Sequence, residues 1–185
     1  MNIFATSECP VESAYNLPNV LVNKMILESA QMLSTTHTLV DGVVEISGKP
    51  LYKKTHQNHP SSVWCRASKE NYMWLYEHFK ALTEIFEASS GKVHLTAEKL
   101  LDVLSEPPVA IPDTSFVYSG LPTPAMPDVF KELRESVDVK YQQYLNWKFK
   151  DWLDNENKAC KGLVWYVDYP YWLSEDVVKA VIGGL

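Results

Sequence analysis

Residues 19–40 read NVLVNKMILESAQMLSTTHTLV, and this stretch decides the fold class. Ile26, Ala30, Leu33, His37 and Val40 recur at the 3.6-residue spacing of a helix and form one apolar stripe. Lys24, Glu28, Gln31 and Thr35 follow the same spacing on another face. Asp41-Gly42 then supplies a helix stop. A second helical pattern follows Pro60, which suits a first helical position and puts His59 near the cap. Ser68 restarts it, and Met73, Trp74, Leu75, His78, Phe79, Leu82 and Phe86 sustain it until Ser90-Gly91.

Outward from these two segments the pattern predicts five core helices, at about 19–40, 61–88, 96–104, 128–153 and 174–182. Thr96 is the expected cap of the third, and Pro107-Pro108 blocks its continuation. Residues 1–18 read as irregular, punctuated by Pro10 and Pro18. Residues 43–46 are either a short strand or extended coil. Residues 105–127 hold six of the eleven prolines yet carry Val109, Ile111, Phe116, Val117, Tyr118, Leu121 and Met126. That is too much apolar surface for a free linker, so an ordered wrap over the core is expected. LVWYVDYPYWL (163–173) reads as a strand or an extended segment. The expected fold is mostly α: a single compact helical domain spanning 1–185. Extended Pro-rich and aromatic segments wrap it, with at most a minor β element.

Composition narrows the function classes. The 185 residues are 46% hydrophobic and 22% charged, which excludes wholesale disorder. No apolar run approaches the roughly 18–20 residues of a membrane span. The opening residues lack a signal peptide's basic and apolar regions, so a cytoplasmic location is expected. Cys9, Cys65 and Cys160 are an odd count with no metal-ligand spacing, and read as reduced thiols in the core. The net charge is −6. It is concentrated in residues 101–185, with eight basic and thirteen acidic side chains, against nine and ten before them. That makes a weak case for gripping duplex DNA, which needs a broad basic face. Aromatic content is high at 12%. It fits either a filled core or a surface that stacks flat ligands such as bases.

Two segments carry residues that packing alone does not ask for. The first is the polar face of 19–40. Lys24 and Glu28 meet there as an i,i+4 pair, either a solvated salt bridge or, with Gln31, the lining of a pocket. His37 lies on the apolar stripe, as a core histidine or a ligand-binding one. The second is THQNHP (55–60) followed by Trp64, Arg66, Asn71 and Trp74. The side chains there suit anion and base recognition. His56 or His59 would transfer protons, with Glu28 orienting or activating. Arg66 and the Ser61 and Ser62 amides would hold phosphate, and Trp64 or Trp74 would stack a base. Lys24, Gln31, His37, Asn58 and Asn71 complete the expected lining. All are expected to face one cavity, with histidine pKa values rising once phosphate binds. The alternative is structural: Asn58 capping a helix, Arg66 paired, the tryptophans in the core. His56 and His59 lack a further ligand, so no metal is expected, and no cofactor. No Walker loop, GxGxxG, HExxH or GxSxG occurs.

These same segments resemble a family of small bacteriophage proteins. Its pattern begins MNIF, continues DKHVVKMILESAQLLSTAHR-LDG, and then reads LYK-TH-NHPS--W-R-S--NY-WL. Here the match is Met1 to Phe4, Lys24 to Leu33, His37, Asp41-Gly42, Leu51 to Lys53, Thr55-His56, Asn58 to Ser61, Trp64, Arg66, Ser68, Asn71-Tyr72 and Trp74-Leu75. It covers roughly residues 1–82. Where the family carries Asp-Lys-His, this chain has Asn19-Val20-Leu21. Some members are labelled pyrimidine-dimer DNA glycosylases. Enzymes of that name attack with an α-amine freed by removal of Met1, and Asn2 is too large for efficient removal. The resemblance implies a phage-encoded protein in an infected bacterial host, directed at a nucleobase or nucleotide. Base excision or modification of DNA is one reading. A non-catalytic module is the other: it would sequester a nucleotide against host defence or engage a host protein. A homo-oligomer is left open.

Overall fold

The computed structural model describes residues 1–114, 120–155 and 162–183. The fold is mostly helical, with eight helices and one small hairpin among the described residues. In chain order they are α1 (Pro10–Tyr15), α2 (Asn19–Val40), β1 (Glu45–Ile46), β2 (Lys49–Pro50), α3 (Pro60–Cys65) and α4 (Lys69–Ser90). They continue with α5 (Leu95–Leu100), α6 (Asp128–Lys131), α7 (Val137–Asp154) and α8 (Glu175–Gly183). None of these helices is long and apolar enough to cross a membrane.

Local chemistry sets the boundaries. Pro18 precedes α2, and the Asp41 amide closes its last turn on the His37 carbonyl. The Ser68 side chain accepts the Asn71 N–H at the start of α4. Gly91 ends α4 at φ 67°, a left-handed position that glycine occupies without a Cβ clash. Ser47 (φ 51°) and Gly48 (φ 75°) form the two-residue turn of the antiparallel β1–β2 hairpin, where Ile46 pairs with Lys49.

α4 packs against α1 and α2, and this contact holds the centre of the core. Met25, Ile26, Leu33, Phe79 and Leu82 are completely buried there, and Trp74 is 5% exposed. His37 sits in the same layer. Tyr72 Oη donates to the Leu104 carbonyl (2.9 Å), so His37 Nε2–H donates to Tyr72 Oη (2.9 Å). Burial lowers the His37 pKa against the opposing pull of Asp41 and the Glu106 backbone. His37 is therefore a hydrogen-bonded core histidine. Cys65 is buried beside Thr36, and burial pushes its thiol up to about 12. Cys9 is exposed rather than in the core, and Cys160 lies outside the described residues.

The structure corrects several expected boundaries. The opening stretch is not wholly irregular, because α1 forms with Pro10 at its first turn. The helix expected at 61–88 is two, broken at residues 66–68. The cap of α5 is His94, whose Nδ1 accepts the Thr96 N–H (3.1 Å). The helix expected at 128–153 is also two, α6 and α7. Residues 163–173 are irregular, with no strand.

The Pro-rich segment does lie on the core where it is described. Ile111, Leu121 and Met126 are buried, while Val109, expected to pack, is 96% exposed. The Asp41 carboxylate accepts the Val109 and Ala110 N–H groups (2.7 and 2.9 Å), and the Pro112 carbonyl accepts from Lys69 N (2.9 Å). Phe116, Val117 and Tyr118 fall outside the described residues.

His78 gives this core a pH dependence. Its ring is fully buried and stacked on Trp74 (5.5 Å, 14°). Neither ring nitrogen has a hydrogen-bond partner among the described residues. Burial pushes its pKa down to about 3, whereas an imidazole in the unfolded chain titrates near about 6.5. Between those values the unfolded chain binds a proton that the folded chain refuses. The stability is therefore fully present above pH ~6.5 and falls by about 1.4 kcal/mol per pH unit on acidification. His78→Leu is expected to flatten the decline between about pH 6 and 4 by that amount, measured as urea unfolding free energy against pH. An unchanged slope would show that His78 is protonated within the fold.

Candidate functional site

The residues expected to share a cavity divide into three groups. Trp64, Asn71 and Trp74 are in the core. Trp74 Nε1 donates to the Glu8 carbonyl (2.7 Å), and Asn71 Nδ2 donates to the Trp64 carbonyl (2.8 Å). With His37 they are shielded from any ligand at the surface, which corrects the expected lining. Trp64 Nε1 and Asn71 Oδ1 are buried with no hydrogen-bond partner among the described residues.

A second group closes the loop before α3. Arg66 Nη1 donates to the Gln57 carbonyl (2.6 Å), so the expected phosphate fork holds its own loop. Asn58 is exposed, and the cap of α3 is His59 rather than Asn58: His59 Nδ1 accepts the Ser61 N–H (3.2 Å). His56 is exposed at φ 46° and borders a shallow hollow of about 350 Å³ with Lys54, Thr55 and Gln57. Ser61 and Ser62 are buried, so the amides expected to bind phosphate do not face solvent.

The third group does converge, at Glu28. One oxygen, Oε2, accepts the Asn2 N–H (3.0 Å) and lies 4.0 Å from the Met1 ammonium. The other, Oε1, is 3.6 Å from Lys24 Nζ. His59 is within Coulombic reach of this cluster. Burial lowers its pKa first, the Met1 ammonium and His56 act in the same direction, and Glu28 opposes them. Gln31, three residues on, is half-buried and has no side-chain hydrogen bond among the described residues.

Beside this cluster is a pocket of about 360 Å³. The N-terminal segment contributes Met1, Asn2 and Phe4, and α2 contributes Val20, Leu21 and Lys24. α7 supplies Tyr144, Lys148 and Trp152 at i, i+4 and i+8, one face of the helix. Val20 and Leu21 make their part of the wall apolar. Lys148 Nζ lies 4.7 Å from the Trp152 ring centre and 5.5 Å from that of Tyr144. It pairs with no carboxylate among the described residues. Phe4 stacks on Tyr144 (6.4 Å, 23°) with its own backbone at φ 57°. That left-handed conformation is rare for an aromatic residue and costs on the order of 1–3 kcal/mol, so surrounding contacts must impose it.

Those contacts come from Asn2. Its Oδ1 accepts the Ile3 and Phe4 N–H groups (2.8 and 3.2 Å) and the Tyr141 hydroxyl (2.9 Å). The same hydroxyl accepts the Ala125 N–H (3.0 Å), and Asn2 Nδ2 donates to the Ala125 carbonyl (2.6 Å). The result is a closed polar ring joining the N-terminal segment, the Pro-rich segment and α7. Burial raises the Tyr141 pKa, with Tyr144 acting in the same direction and the Ala125 N–H opposing, so its hydroxyl stays a donor.

The sequence reading missed Asn2, Phe4, Tyr144, Lys148 and Trp152 as site residues. The one available signal was a lysine set between two aromatics at helical spacing, a pattern a core-facing stripe also shows. Among the described residues no group of three or more His, Cys, Asp or Glu is placed to hold a metal ion. Comparison with protein-family models, curated proteins and solved structures finds no match.

Tyr141→Phe isolates the polar ring. It removes one hydroxyl, leaves the packing intact and strands the Ala125 N–H. A loss of about 1–3 kcal/mol of unfolding free energy is expected in urea titration. A change within about 0.3 kcal/mol would show that the ring does not hold the pocket wall.

Proposed function

We propose that this chain binds a nucleotide or nucleobase in the pocket between the N-terminal segment, α2 and α7. The observation that carries this reading is the pairing of flat aromatic faces with unneutralised positive charge in a single small pocket. A volume near 360 Å³ is at the lower end for small-molecule sites, roughly 300–1,000 Å³. A base would stack on Trp152, and its phosphate would meet Lys148, with Lys24 and the Met1 ammonium at the other end. The resemblance of residues 1–82 to bacteriophage proteins supports the same ligand class and supplies the setting, a phage protein in a bacterial cytoplasm. In this reading Glu28 is a positioning residue. Its carboxylate is taken up by the Asn2 amide, the Met1 ammonium and Lys24.

Base excision or modification is the second reading, and one observation favours it. Burial lowers the His59 pKa, and the ring stands within Coulombic reach of the Met1 ammonium and Glu28. Its Nδ1 accepts the Ser61 N–H, so the neutral ring carries its proton on Nε2 and would offer a hydrogen bond to a base rather than accept a proton.

Titration of the four nucleoside monophosphates, followed by tryptophan fluorescence, tests the first reading, because Trp152 lines the pocket. Lys148→Ala is expected to weaken the best of them about 10- to 100-fold, the usual range for a hydrogen bond to a charged group. Arg66→Ala is expected to leave the affinity unchanged, since its guanidinium is held by Gln57. No binding by the unmodified chain, or equal loss in both variants, would remove the pocket as the ligand site. His59→Gln separates the readings: an enzyme keeps affinity and loses turnover.

A further inference from the structure

The pocket holds about one nucleoside, but its aromatic wall does not stop at the rim. Tyr144 is stacked on Trp147 (6.1 Å, 21°), and Trp147 in turn meets Phe130 (5.7 Å). Trp147 is 50% exposed. Phe4, Tyr144 and Trp147 therefore form a row of nearly parallel rings that runs from inside the pocket onto the open surface. A free mononucleotide seated in the pocket has no use for the outer ring. A tryptophan half in water, with its ring aligned to a stacked series, is a platform for a second flat group.

Resting on the pocket reading above, we infer that the physiological ligand is a single-stranded nucleic-acid segment. One base enters the pocket and the neighbouring base stacks on Trp147. The charge on the page favours this class over others. Lys148, set between Tyr144 and Trp152, puts a cation beside the row where the linking phosphate would pass. A duplex keeps its bases stacked on one another and offers only phosphates, and a chain of net charge −6 is repelled by them as a whole. Stacking on aromatic rings needs only a π-face, so the site would tolerate different bases.

The experiment uses the full chain and compares thymidine monophosphate, a dT6 oligonucleotide and a 12-base-pair duplex by tryptophan fluorescence at low salt. The oligonucleotide is expected to bind about 10-fold tighter than the monophosphate or better, and tighter than the duplex. Trp147→Ala is expected to bring the ratio of oligonucleotide to monophosphate affinity close to one, and Trp147→Phe to restore part of it. Equal affinities for dT6 and the monophosphate would overturn this inference while leaving the pocket reading in place. Duplex binding as tight as dT6 would overturn it as well, in favour of non-specific charge. Failure of both dT6 and the monophosphate to bind would overturn both readings.

Discussion

Asn2 is the constraint on which the pocket depends. One side chain satisfies two amides of its own segment, a hydroxyl of α7 and a carbonyl of the Pro-rich segment, while its peptide N–H is held by Glu28 of α2. These parts of the chain are far apart in sequence: Asn2 to Tyr141 spans 139 residues. In a buried setting each of these bonds is strong, and each would be costly to leave unmade. The ring therefore acts as a unit and fixes where the N-terminal segment runs. Phe4 follows from it. Held at a positive φ by the amides on either side of that turn, its ring is turned against Tyr141 and Tyr144. Without that turn there would be no wall facing α2.

Much of the fold was legible because helices declare themselves by period and punctuation. α2 begins and ends where Pro18 and Asp41-Gly42 put it, and the stripe through Ile26, Leu33 and His37 is buried in the core. The failures have local causes. α1 has six residues, too few to show a period. No glycine or proline separates α6 from α7; the start signal there is Ser136, the N-cap of α7, whose side chain makes no cap hydrogen bond. There Lys140 Nζ reaches back to the Lys131 carbonyl, one of those freed at the end of α6. His94 is the cap because its imidazole Nδ1 accepts the N–H of Thr96 two residues on, which starts the helix at Leu95.

The site was less legible, for a related reason. Polar and aromatic side chains crowd residues 55–74 because that stretch contains a loop, a six-residue helix, a break and a new helix. A helix that short leaves nearly every backbone group without an intrahelical partner. His59 and Ser68 supply caps, Arg66 takes the Gln57 carbonyl, and Asn71 takes the Trp64 carbonyl. Concentrated chemistry there answers a local demand for hydrogen bonds. Lys24 and Glu28 were rightly paired, but the partner that makes them a corner of a pocket is the N-terminal segment, which shows no periodicity. Likewise Tyr144, Lys148 and Trp152 announce a helix face, and spacing alone does not say whether that face meets a core or a cavity.

The overall charge and the local charge of this chain point in opposite directions, and their ranges decide which matters at the pocket. The net −6 acts on an approaching polyanion over distances that salt screens, about 8 Å at physiological ionic strength. Lys148, held near two rings and half-withdrawn from water, acts at contact distance, where screening is weak. A ligand of one or two phosphates meets the local field, whereas an extended duplex also meets the acidic second half of the chain. On the proposed reading, recognition would then come mainly from stacking, which salt leaves largely intact. The α7 members of the aromatic row and Lys148 stand side by side, so on the proposed reading flat groups would supply the contact and the cation would orient it.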